Sequence, residues 1–149
     1  MKLDVSSSAF SEGQFIPEKH TCDGGNVSPP IQWSGPPANA KSIAIICEDP
    51  DAPSGTFTHW VLYDLPGTTK GLTEGSSGGG KDGVNGFGKK GYGGPCPPPG
   101  RAHRYFFRVY ALDTQSLGHA GSSKEDVTAG MQGHILAQGE LMGRYKRKQ

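Results

Sequence analysis

Little of this 149-residue sequence is aliphatic: Leu, Ile, Val and Phe together supply 26 residues. Such a shortage signals disorder when it accompanies a large net charge, but here 15 Lys and Arg stand against 14 Asp and Glu. Long hydrophobic runs are missing as well. The longest strictly apolar stretch is Ile43-Ala44-Ile45-Ile46-Cys47, far below the ~20 residues that span a bilayer, which argues against integral membrane association. Met1-Lys2-Leu3-Asp4 opens no hydrophobic signal region, and this predicts a cytoplasmic protein. No basic stripe runs through the chain, so a nucleic-acid binder is not expected. The one basic cluster, Arg144 to Lys148, reads as a solvated tail. Cysteine is scarce: Cys22, Cys47 and Cys96 are odd in number and lack metal-site spacing. They read as reduced thiols rather than a disulfide framework.

What the chain has in quantity is glycine and proline, 24 and 12 residues. They punctuate short apolar runs, the pattern of a turn-rich all-β domain. Ser42 to Cys47 is a continuous β-branched run, as expected of a strand buried on both faces. His59 to Leu65 and Arg104 to Leu112 are two further strong strands, Ile31-Gln32-Trp33 is a short one, and Lys2 to Val5 and Phe10 to Ile16 are weaker candidates. One helix is expected, about Ser123 to Gln132, opened by Ser122-Ser123-Lys124-Glu125 with the spacing of a capping box. Gly75 to Gly88 reads as a long, mobile loop inside a single domain over residues 1–149. The fold class that follows is a mostly antiparallel β-sandwich with one or two short helices.

The segment richest in chemistry is Glu48-Asp49-Pro50-Asp51-Ala52-Pro53, directly after the best buried strand. Residues before proline are pushed out of helical geometry, and proline cannot donate to a sheet ladder. Asp49 and Asp51 therefore sit on a stiff turn at a strand end. Ala52-Pro53 is the candidate for a cis bond there. His59 lies at the mouth of the next strong strand, and His103 opens the Arg104 to Leu112 strand with Tyr105 on its side two residues on. Between them runs Gly91-Tyr92-Gly93-Gly94-Pro95-Cys96-Pro97-Pro98-Pro99-Gly100. Its glycines allow close backbone approach to a ligand and consecutive N–H groups can cradle an anion. It lacks the Lys and Ser/Thr of a phosphate-cradling P-loop, so nucleotide hydrolysis is not expected.

With Gly55-Thr56-Phe57-Thr58-His59-Trp60-Val61, Thr21-Cys22-Asp23-Gly24, Ser28-Pro29-Pro30-Ile31-Gln32-Trp33 and Gly133-His134-Ile135-Leu136-Ala137, these motifs resemble the phosphatidylethanolamine-binding protein family, and within it the prokaryotic, Raf-kinase-inhibitor-like branch. The resemblance implies a β-sandwich with a small anion pocket at one end. It carries Asp49, Asp51, His59 and His103 into that pocket with Tyr105 as a further wall, and assigns backbone donors to Gly94, Pro95 and Cys96 of the Gly/Pro loop. Cys96 stands where eukaryotic members place a glycine.

Two acids would repel an anion unless a histidine is protonated. Histidine is the natural switch, because its pKa lies near neutrality and a nearby carboxylate favours the imidazolium. Asp49 and Asp51 are thus expected to orient and charge His59 and His103. The leading reading is non-catalytic binding of a phosphate-like anion or phosphorylated headgroup, with room for a protein partner such as a kinase and for a homodimer. The alternative is a small hydrolase or metal-dependent enzyme using the same Asp/His cluster, although no Gly-x-Ser-x-Gly elbow or paired Cys–His nucleophile is evident. A third reading is an interaction protein with a vestigial pocket. No cofactor or resident metal is implied.

Overall fold

The computed structural model describes residues 2–118 and 121–147. Met1 and Lys148, which entered the expectations for the leader and the basic cluster, lie outside them. The strands in chain order are β1 (Val5–Ser6), β2 (Ile31–Trp33), β3 (Ser42–Asp49), β4 (Phe57–Pro66), β5 (Gly71–Leu72), β6 (Lys81–Asp82), β7 (His103–Leu112) and β8 (Ile135–Tyr145), with an α-helix, α1 (Lys124–Met131), before β8 and a single 3-10 turn at Glu18–His20. They form two antiparallel sheets, a small one in the order β1-β2-β5 and a large one in the order β6-β4-β3-β7-β8. Among the described residues no helix is long and apolar enough to cross a membrane.

All of β3 is buried, because each of its faces is covered. Ile43, Ile45 and Cys47 enter a core shared with Ile31, Trp33 and Leu72 of the small sheet. Ala44 and Ile46 turn the other way and pack with Val61, Tyr63 and Leu112 beneath Val127 and Met131 of α1. The sandwich core and a thinner sheet–helix layer therefore share one central strand. The helix begins one residue later than its expected capping box. Ser123, not Ser122, is the N-cap, and its hydroxyl accepts from Asp126 N at 3.0 Å.

β8 is absent from the expectations above. Its buried positions include Ala137, Gly143 and Tyr145 beside Leu141, so small residues hide its alternation. Phe10 to Ile16 forms no strand. That segment instead bonds singly to the free side of β8, through Gly13 N to Met142 O, Arg144 N to Gln14 O and Ile16 N to Arg144 O at 2.7–2.9 Å. Arg144 also lies over the Phe15 ring, 4.7 Å from its centroid. Arg144 and Tyr145 thus belong to the sheet rather than to a solvated tail. The Gly75 to Gly88 stretch is also not a bare loop: it contains β6, paired to β4, and Asn85 pins its end with bonds to Gly91 O, Phe87 N and Lys89 N.

Two further expectations are corrected. Cys22 and Cys96 are joined in a disulfide, leaving Cys47 as a buried free thiol. An odd count forbids complete pairing but not one pair, and 74 residues of separation gave no local hint. No peptide bond among the described residues is cis, Ala52-Pro53 included. Gly55 N bonds Ala52 O at 3.0 Å, which puts Pro53 second in a four-residue turn. That place suits trans proline, whereas a cis proline occupies the third.

Gly139 is where the amino-terminal segment meets β8, and a Cβ there would lie 1.9 Å from the Leu3 carbonyl oxygen. Gly139→Ala must push the two backbones apart. It is expected to cost about 1–3 kcal/mol, the usual range for forced overpacking, read as a lower midpoint in urea denaturation. An unchanged midpoint would show that this contact is slack.

Candidate functional site

Antiparallel pairing dictates where the chemistry collects. β3 runs between β4 and β7, both opposed to it, so its carboxyl end shares one end of the sheet with the beginnings of β4 and β7. Asp49 closes β3, Phe57 and His59 open β4, and His103 and Tyr105 open β7. Asp49 continues the inward row of Cys47 and Ile45, just as His103 and Tyr105 continue that of Phe107. His59 arrives differently. Cys47 pairs with Trp60 and Glu48 with Thr58, so His59 is the extra residue of a β-bulge, a device that re-aims a side chain. The bulge lets His59 and its neighbour Trp60 both serve the interior.

The result is a cavity of about 140 Å³ lined by Asp49, Phe57, His59, His103, Tyr105, Phe87 and the Ala52-Pro53 and Cys96-Pro97-Pro98 segments. That is room for a handful of waters at ~30 Å³ each, well below the size of drug-like pockets. Phe57, Tyr105 and Phe87 surround the His59 ring at centroid distances of 4.9, 5.2 and 5.7 Å.

Each imidazole is fixed through Nδ1. His103 Nδ1 donates to Asp49 Oδ2 at 2.7 Å, and His59 Nδ1 donates to Gly93 O at 2.7 Å. These partners, a carboxylate and a carbonyl, can only accept, so Nδ1 carries the proton and Nε2 is the nitrogen these bonds leave uncommitted. Burial holds the His59 pKa below its ordinary value, against the opposing pull of the Gly93 carbonyl and the Asp49 charge. Tyr105 is fully buried, and burial together with Asp49 raises its pKa. Its hydroxyl stays protonated, with the Asp49 carboxylate as its polar neighbour but no hydrogen bond of full geometry to it. A buried donor so loosely engaged can turn to an acceptor in the cavity.

The two aspartates are occupied elsewhere. Asp49 Oδ1 accepts from Asp51 N at 2.7 Å while Oδ2 holds His103, so each of its oxygens already has a donor. Asp51 does not line the cavity. Its carboxylate is clamped by Arg104 through backbone N, Nε and Nη2, each at 2.9 Å, and this clamp lowers its pKa to about 2. Gly94 and Pro95 are also placed away from the cavity wall. Gly94 N donates to Asn26 Oδ1 at 2.8 Å, and a Cβ at Gly94 would lie 2.3 Å from His20 O. The glycine is required for packing against the 20–26 turn, and proline has no N–H to offer. Gly94 and Pro95 therefore offer the cavity no backbone donor, while Cys96 lines it with Pro97 and Pro98, and Gly93 contributes its carbonyl to His59. Phe57 and Phe87 were not foreseen as wall residues. Strict alternation back from Trp60 would turn Phe57 outward, and Phe87 reaches the cavity from a loop. Among the described residues no three His, Cys, Asp or Glu side chains converge as a metal site.

Comparison with known proteins agrees with this architecture. Relatives include UPF0098 proteins of Methanothermobacter thermautotrophicus, 48% identical over 97% of this chain and 99% of its own, and of Aquifex aeolicus, 50% identical over 97% of this chain and 89% of its own. Among solved structures, a phosphatidylethanolamine-binding protein homolog from Chlamydia trachomatis superposes with a TM-score of 0.93 at 41% identity, covering 99% of both chains. E. coli YbcL, described as a member of the mammalian PEBP family, gives 0.91 at 33% identity, covering 99% of this chain and all of its own. The family model for the phosphatidylethanolamine-binding proteins matches residues 6–146, and the chain belongs to that family.

Proposed function

We propose that this protein is a non-catalytic receptor for a small phosphate-like oxyanion, free or carried on a phosphorylated headgroup, held in the cavity at the end of β3. The observation that carries this reading is the common anchoring of His59 and His103 through Nδ1 on the wall of one small cavity, which leaves both Nε2 atoms uncommitted, with Tyr105 on the same wall. Protonated, the two imidazoles supply charge-assisted donors, the stronger class of hydrogen bond. The repulsion expected from two aspartates is reduced by their engagement: Asp51 is neutralised by Arg104, and Asp49 presents its charge to His103. A bound anion offsets the desolvation that disfavours charge on His59. Family membership supports a binding role in general terms, and a kinase partner or self-association finds no particular support in the cavity.

Affinity should track imidazole protonation. Sulfate keeps its double charge across the range of interest, so its binding reports the protein alone. Because the His59 pKa is lowered on folding, the unfolded chain binds the extra proton first, and stability falls as pH drops below the ordinary histidine value of about 6.5. Sulfate should restore that loss. Its thermal shift is expected to be larger at about pH 5.5 than at about pH 8, and a shift independent of pH would contradict the imidazole role.

The two aspartates should separate cleanly. Asp49→Asn removes the charge facing His103 and is expected to weaken sulfate binding about tenfold or more, ~1.4 kcal/mol, by calorimetry at pH 6. Asp51→Asn, outside the cavity, should change it by no more than about twofold, as surface substitutions commonly do. The opposite ranking would move the site to the rim. Release of inorganic phosphate from phosphoethanolamine faster than in buffer would replace the receptor reading with the hydrolase.

A further inference from the structure

One wall of the cavity is held unlike the others. The Gly/Pro loop is tied as far as Pro95: Gly93 N donates to His59 O, Gly94 N to Asn26 Oδ1, and Cys22 N to Pro95 O. From Cys96 to Arg101 the backbone makes no hydrogen bond to the described residues, and Pro97, Pro98 and Pro99 have no N–H with which to make one. Besides the packing of the buried Pro97, this stretch is anchored at Cys96, by the disulfide to Cys22 and by the Arg147 guanidinium, whose Nη1 lies 3.8 Å from Cys96 Sγ. Cys96, Pro97 and Pro98 line the cavity, and His103 follows shortly after.

The two half-cystines are both exposed, and their surroundings are unequal. Cys96 has the Arg147 cation beside its sulfur, whereas Cys22 is followed by Asp23, whose carboxylate binds Arg147 Nη2 at 3.2 Å and accepts from Tyr145 OH at 2.6 Å. The sulfur next to a cation is the better leaving group in exchange. Cys47, the third cysteine, is fully buried and its thiol is pushed well above the ordinary value by that burial, so it does not compete.

We propose that Cys22–Cys96 is a thiol–disulfide exchange site through which an external dithiol releases the proline wall and lowers the cavity's affinity for oxyanions. A thiolate of the dithiol attacks Cys22 Sγ and forms a mixed disulfide, while the electron pair of the Cys22–Cys96 bond leaves on Cys96 Sγ beside Arg147. The second thiolate of the reductant then attacks its own sulfur in the mixed disulfide and expels Cys22. The dithiol is oxidised to a disulfide, the protein pair gains two electrons, and the two protons of the dithiol end on the two cysteines. Cys22 N still bonds Pro95 O afterwards, so freedom begins at Cys96. The ligand half of this proposal rests on the oxyanion reading above; the exchange half does not.

The test uses the whole oxidised chain without denaturant. Dithiothreitol at neutral pH, followed by maleimide labelling and peptide mapping, is expected to label Cys22 and Cys96 and leave Cys47 unlabelled. Trypsin should then cut after Arg101 faster than in the oxidised chain. Calorimetric sulfate affinity should fall about tenfold, within the usual range for coupled sites, and Cys22→Ser should show the same weakening without reductant. Arg147→Ala should slow reduction several-fold. Resistance to dithiothreitol, or reduction that leaves the cut at Arg101 unaccelerated, overturns the exchange site. Reduction with unaltered sulfate affinity overturns the coupling. If the oxidised chain binds no sulfate at all, the oxyanion reading and the coupling fail together, while labelling and proteolysis still decide the exchange site.

Discussion

The site depends on β3 being buried along its whole length between two strands that run against it. That constraint fixes which chain ends can meet. Burial of both faces supplies the apolar contacts that hold the strand centrally, and antiparallel pairing on both sides brings the openings of β4 and β7 to its carboxyl end. The last inward position of β3 is an aspartate rather than another aliphatic residue, and Asp49 there receives His103 at 2.7 Å. The cavity is thus the place where the apolar core stops and its polar continuation begins.

The two acids at this end of the sheet each have a prior engagement. Asp51 is bound by three donors of Arg104 and stays ionised at any ordinary pH, so it contributes a fixed, neutralised pair rather than a switch. Asp49 spends one oxygen on its own turn and the other on an imidazole. The turn bond sets the carboxylate's direction and the imidazole bond sets the ring's.

Much of this was legible in the residues because it followed from local rules. The β-branched run at 42–47, the Asp-Pro stop after it and the polar openings of the next strands all point to one sheet end. Where the reading failed, the cause was non-local. β8 hides behind Gly139 and Gly143, whose lack of side chain reflects the amino-terminal segment pressing on them. The Cys22–Cys96 pairing joins two turns that only the folded chain makes neighbours, and the parity of Phe57 and His59 is altered by a bulge no hydropathy pattern announces. Gly94 was read as an approach point for a ligand. It is an approach point for the 20–26 turn instead, and the same absence of Cβ serves either purpose.

The single bonds that residues 3–16 make to β8 also bear on how the chain is assembled. An uncovered outer strand would offer its free N–H and C=O groups to any other β-segment, and here the molecule closes that side with its own leading residues. Arg144 Nε reaches Gly13 O across 131 positions of sequence. Val5 and Ser6 of the leading segment can pair early with β2, but the 13–16 stretch has no β8 to settle on until that strand exists. Contacts of such separation close late and slowly, so sealing this stretch onto the sheet margin is a late event of folding.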